Sequence, residues 1–298
     1  MRKPIRKVLK NGMRIVVVPM PGSPTVTTVV FCATGSKYES KEMNGISHFL
    51  EHMFFKGTKK RTAAGDISAE LDRLGSETNA FTGNEYTAYY AKSRNKNFKK
   101  ITDVISDMYL NSEFPVEEIN KERGVIMAEI DMYKDLPQWS VDEILESLMY
   151  GDQPAGWTIL GPKENIKKIS RDDFLEYRER HYVAEKTVVV VAGGVDTQRV
   201  ISEIKNKFKT IPTHRGGAKK LTVEKQKVAR IKIQYKKTDQ THLMFGFRAF
   251  KKRLKKNVAT RVLSVVLGQG MSSRLFRRLR GDMGVAYYTR SSNNKVYF

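Results

Sequence analysis

The sequence predicts an α+β fold: an antiparallel sheet flanked by helices, repeated in two related halves, the second incomplete. Three observations point there. β-Branched runs sit between Pro and Gly breaks, apolar residues recur at helical spacing, and the opening strand–helix order returns late in the chain. With 298 residues, 40% of them hydrophobic and 29% charged, the chain can bury a real core and has a globular composition.

The first half is justified element by element. Residues 13–18 form a β-branched run that stops at Pro19, and 25–33 repeats it after a Pro-Gly turn. Gly45 opens a segment over 46–55 with helical apolar spacing, and a second helix fits 63–74, closed by Gly75. Residues 76–92, rich in Thr, Tyr and Phe, read as two strands joined around Gly83 and Asn84. From 95 to 150 the pattern is helical, interrupted by Pro115 at the start of a helix over 116–133. A helix over 171–182, a buried strand over 187–192 and a helix ending at Phe208 complete the half.

Residues 213–222 read as a linker, dividing a first domain over 1–212 from a second over 223–298. After it come strands over 229–235 and 241–247 and a helix over 257–267, which echo the opening without its histidines. The second domain reads as truncated, with a strand-like end at 294–298.

The net charge of +22 is spread as short lysine clusters such as Lys99-Lys100, Lys167-Lys168 and Lys219-Lys220, which reads as a solvated basic surface. No basic stretch is interleaved with aromatics, so no specific nucleic-acid partner is expected. A nucleic-acid-binding reading would require affinity that falls steeply with salt. The single Cys32, inside an apolar run, excludes an internal disulfide and reads as a buried structural thiol in a reducing compartment. The basic start lacks an apolar stretch after it, and no run reaches membrane-spanning length; a cytoplasmic location is expected.

The chemistry concentrates in His48-Phe49-Leu50-Glu51-His52. On a helix, residues four apart share a face, so both imidazoles can reach one metal. Glu51 flanks that face, where a water would sit, in the inverted order of the zincin motif. The later helix offers Glu122 and Glu129, seven apart and so on one face. Glu129 has apolar neighbours, and a zinc ion would supply the partner a buried carboxylate needs; alone, it also reads as a surface residue of an amphipathic helix. His181, His214 and His242 lack ligand spacing and read as surface or turn residues.

These motifs together resemble the pitrilysin, insulinase and mitochondrial processing peptidase family, which pairs HxxEH with a glutamate on a later helix. The resemblance implies a zinc endopeptidase holding one Zn²⁺ per chain through His48, His52 and Glu129, the last 77 positions after His52. It makes Glu51 the general base on a zinc-bound water, and Glu122 an acid that supports the site without touching the metal. Asn79, Ala80, Phe81 and Thr82 resemble the strand that pairs with an extended peptide substrate. The stretch from Ser272 to Tyr287 resembles the signature of the second half, and in it Arg280 and Tyr287 correspond to the pair that reaches the substrate, Tyr287 helping catalysis. On their own residues, Arg280 reads as a solvated charge and Tyr287 as a core aromatic. Relatives also serve as non-catalytic structural or partner subunits, and the resemblance implies a homodimer or a heterodimer with a related subunit. Subunits of that kind lack part of the metal motif, whereas this chain keeps every piece.

Overall fold

One mixed sheet organises the first part of the chain, in the order β1-β2-β6-β3-β5-β4. It is seen in a computed structural model that describes residues 3–250 and 256–293. The strands are β1 (Ile5–Val8), β2 (Arg14–Pro19), β3 (Thr25–Cys32), β4 (Glu77–Thr82), β5 (Thr87–Arg94) and β6 (Thr187–Gly193). The sheet is antiparallel, as expected, except that β2 and β6 pair in parallel: β6 enters from a distant part of the chain between β2 and β3, which themselves run antiparallel. β3 shows why the pattern was readable: Val26, Thr28, Val30 and Cys32 are buried while their neighbours are half-buried.

Helices α1 (Ile46–Met53), α2 (Asp66–Arg73), α3 (Phe98–Asn111) and α8 (Thr197–Lys207) pack on the sheet; α4 (Val116–Asp135) and α7 (Arg171–His181) pack on α1, and α5 (Pro137–Tyr150) and α6 (Lys163–Lys168) pack on α4. α3 lies on β3 and β5, and the Thr28 and Thr102 hydroxyls meet at 3.1 Å between them. α1 packs against β4, α4 and α7, which brings its polar residues to the outermost strand of the sheet. An aromatic cluster around Phe54, with Tyr89 at 4.9 Å and Tyr182 at 5.2 Å between ring centroids, anchors the end of α1.

The chain divides into two compact units, Met1–Met244 and Phe245–Phe298. Residues 213–219 lie along the first unit: His214 Nε2 is 2.9 Å from Glu179 O, the Gly217 amide donates to Arg180 O at 2.9 Å, and Lys219 reaches Glu85 at 2.6 Å. The strands expected over 229–235 and 241–247 are not formed. Their alternation is real, but a strand exists only where a neighbour completes its ladder, and no ladder reaches these residues. The second unit carries α9 (Lys256–Gly268) and a π-helical turn, Phe276–Asp282. The strand-like end at 294–298 lies outside the described residues. Among those residues no helix is long and apolar enough to cross a membrane.

Candidate metal centre

The site is built on α1. Its first turn follows Gly45, which takes φ 105°, a left-handed conformation that favours glycine, and a Cβ there would sit 2.6 Å from Leu160 O. Glycine offers no capping side chain, and the buried carboxylate of Glu39 substitutes for one. It accepts from the Gly45 and Ser47 amides at 2.9 and 2.8 Å and from Asn44 Nδ2 at 2.8 Å. A carboxylate suits a helix N-terminus, yet burial pushes Glu39 up to about 7, against the pull of these donors. α1 then buries Ile46, Phe49, Leu50 and Met53 in the core. His48, Glu51 and His52 are left at its margin toward β4 and α4.

The two imidazoles and Glu129 converge. His48 Nε2 and His52 Nε2 are 3.3 Å apart, and Glu129 Oε2 is 3.6 Å from each. His52 Nδ1 lies 2.8 Å from Glu122 Oε1, and Lys56 Nζ is 2.5 Å from Glu122 Oε2. With Nδ1–H donated to Glu122, the ring presents Nε2 unprotonated toward His48 and Glu129. Burial, and then His52, push His48 down to about 3, so its ring is neutral at pH 7. The hydrogen bond from His52, followed by Lys56, holds Glu122 below the usual carboxylate range. Burial raises Glu129, with His52 opposing and Glu122 adding to the rise.

The residues fit zinc. Ligands about 2.0–2.1 Å from a tetrahedral ion lie roughly 3.3–3.4 Å from one another, and the nitrogen pair stands at 3.3 Å. A cation between the two rings would take a lone pair from each and pair with the half-buried carboxylate. Two histidines and a carboxylate are also a donor set zinc favours. Among the described residues, His48, His52 and Glu129 form the cluster whose ligand atoms all lie within 4.8 Å of one another.

The other expected residues fall in two places. Asn79, Ala80, Phe81 and Thr82 lie on β4, whose outer side carries no strand of the sheet. The Asn79 side-chain oxygen accepts the Ala80 amide at 2.9 Å. The Thr82 hydroxyl donates to Glu51 Oε2 at 2.5 Å. Sequence reasoning missed that bond, and the Glu39 cap with it. Arg280 and Tyr287 belong to the second unit, where the guanidinium carbon of Arg280 sits 4.9 Å from the centroid of the Tyr287 ring. Tyr287 is 80% exposed, so it is no core aromatic. His181, read as a surface or turn residue, is instead buried against Tyr38 and Tyr177, because α7 turns that face into the core.

This fold and donor set define a peptidase class, and comparison with known proteins agrees. Residues 14–163 match the family described as Insulinase (Peptidase family M16), and residues 168–297 match the Peptidase M16 inactive domain. The chain belongs to this insulinase family. It is 38% identical to the "Uncharacterized zinc protease YmxG" of Bacillus subtilis, over 95% of this chain and 68% of that protein. It is also 38% identical to an "Uncharacterized zinc protease" of Rickettsia bellii, over 97% of this chain and 69% of that one. Among solved structures, a protease from Helicobacter pylori superposes with TM-score 0.85 at 24% identity, over 99% of this chain and 72% of that one. A Pseudomonas fluorescens inactive domain of the family gives TM-score 0.84 at 14% identity, over 99% of this chain and 72% of that one, a likeness of fold alone.

Proposed function

We propose that the chain is a zinc-dependent endopeptidase that binds about one zinc ion through His48, His52 and Glu129 and hydrolyses extended peptides. The observation that carries this reading is the approach of two imidazole nitrogens and a carboxylate to one point, with Glu51 beside them on the same helix as the two histidines. Bound zinc supplies Lewis acidity, which brings the pKa of water to about 7 and polarises a carbonyl.

This chain's own residues do the rest. β4 takes the peptide as an added strand, so backbone hydrogen bonds set its register. Glu51 accepts the proton of the attacking water as the new C–O bond forms at the scissile carbonyl. It returns that proton to the departing nitrogen as the C–N bond breaks, which leaves a free amine and a carboxylate. Glu122 holds His52 in the tautomer that keeps Nε2 unprotonated. The family resemblance alone gives Tyr287 a part in catalysis and Arg280 a part in binding the peptide; within the second unit these two side chains lie against each other.

Zinc analysis and a fluorogenic peptide assay on the wild type and on Glu51→Gln test the reading together. The wild type should hold about one zinc and cleave; Glu51→Gln should keep the zinc and lose about 10²–10⁴-fold in turnover. Full turnover in that variant removes Glu51 from the role of base. Zinc without cleavage in the wild type would favour a non-catalytic subunit.

A further inference from the structure

Thr82 joins the outermost strand of the sheet to α1. It is the last residue of β4, paired with Thr87 across β5, and its hydroxyl is 2.5 Å from Glu51 Oε2. The side chain points to the helix-covered face, the face that also carries buried Ala80, so it is turned away from a peptide lying along the strand's edge.

The backbone just beyond Thr82 is held firmly. The Ser36 and Lys37 amides donate to Gly83 O and Asn84 O at 3.3 and 2.9 Å. Ser36 Oγ donates to Asn84 Oδ1 at 2.8 Å. The Lys37 ammonium, buried to 1% exposure, pairs with Glu85 at 3.0 Å. A Cβ on Gly35 would lie 2.0 Å from Gly83 O, so the two loops touch backbone to backbone. Thr82 therefore presents its hydroxyl from an anchored position.

A carboxylate that serves as a base must keep one oxygen on the water while its terminal torsion is free to turn. A donor fixed on Oε2 stops that rotation and leaves Oε1 to take the proton. We propose that Thr82 is the positioning residue for Glu51, orienting the carboxylate from the strand on which the peptide pairs. This role rests on the endopeptidase reading given above. It also links the two events: a peptide that pairs along β4 docks on the strand whose end aims the base.

The test uses the full chain, loaded with zinc, and a set of internally quenched fluorogenic decapeptides. Thr82→Val keeps the shape and the strand preference but removes the donor; Thr82→Ser keeps the donor. Thr82→Val should lower kcat about tenfold to a hundredfold with KM within about twofold of wild type. Its zinc content should match the wild type, and Thr82→Ser should recover most of the kcat. A second readout needs no turnover: thermal midpoints of the zinc-free wild type, Thr82→Val, Glu51→Leu, which has no acceptor, and the double variant. The two single shifts should be non-additive, because both remove the same bond.

Wild-type kcat in Thr82→Val, or additive thermal shifts, would overturn the role while leaving the peptidase reading intact. A fall in kcat that Thr82→Ser does not reverse, or one that comes with lost zinc, would also overturn it, since either indicates a packing effect. A zinc-loaded wild type that cuts none of the peptides sinks the peptidase reading and this role with it, whatever the thermal cycle gives.

Discussion

On the proposed reading, the contact between Glu122 and His52 supports a zinc ligand from outside. The carboxylate fixes the ring through Nδ1 while Lys56 holds its other oxygen. Glu122→Gln should therefore weaken zinc binding by about 10–100-fold, read by competition with a chromogenic chelator; unchanged affinity would show that the ring orients itself. Cys32 sits at the opposite extreme. It is fully buried, its thiol pushed up to about 12 by burial, and it should resist iodoacetamide in the native chain and react only after unfolding. Mass spectrometry of the labelled protein reads this directly. The sequence made His48, Glu51 and His52 legible because one helical turn brings them together, and Glu129 because a resemblance supplied the distant partner. The Thr82 bond to Glu51 spans 31 positions and depends on strand β4 meeting α1, so no local pattern carried it. His181 escaped for the same reason: spacing gave it no ligand, and only the fold gave it a core.

At the scale of elements, α1 owes its placement to Glu39 and to the close approach of Gly45 and Gly161, where a Cβ on Gly161 would sit 2.2 Å from Asn44 O. Glu39 makes the helix sensitive to pH, and the sign follows from the direction of its shift. Burial raises the folded-state value from 4.5 to about 7, so between these limits the folded chain keeps a proton that the unfolded chain has lost. The contribution is full below the unfolded value and declines as pH rises through the folded one. Thermal midpoints should carry a downward slope from this residue between about pH 4.5 and 7, and Glu39→Gln should flatten it. An identical slope in the variant would mean that Glu39 is ionised throughout. The elements themselves were unequally readable. β3 and β6 alternate because one face is buried, whereas β1 is exposed along its whole length and leaves no pattern. α6 has six residues, too few for a periodic signal. Residues 229–235 show the reverse case, alternation without a ladder.

For the molecule as a whole, the features proposed to hold zinc lie in the first unit, so metal should stabilise that unit by mass action. Zinc at about a thousandfold over its dissociation constant adds roughly 4 kcal/mol to the state that binds it. Calorimetry should show a raised transition that a chelator reverses, and a midpoint indifferent to zinc would contradict a preformed site. The basic surface suggested by the charge of +22 remains a matter of solubility and encounter, since the site is built of imidazoles and carboxylates. The architecture as a sheet with helices was legible from period and breaks. The course of 213–219 along the first unit was not, because its anchors, Arg180 and Glu85, are remote in sequence.

The most direct test of the account is a zinc titration, by isothermal calorimetry, of the metal-free wild type beside Glu129→Gln and His48→Ala. The account predicts one tight site in the wild type and a large loss of affinity in both variants. Equal zinc binding in Glu129→Gln, or none in the wild type, would contradict it.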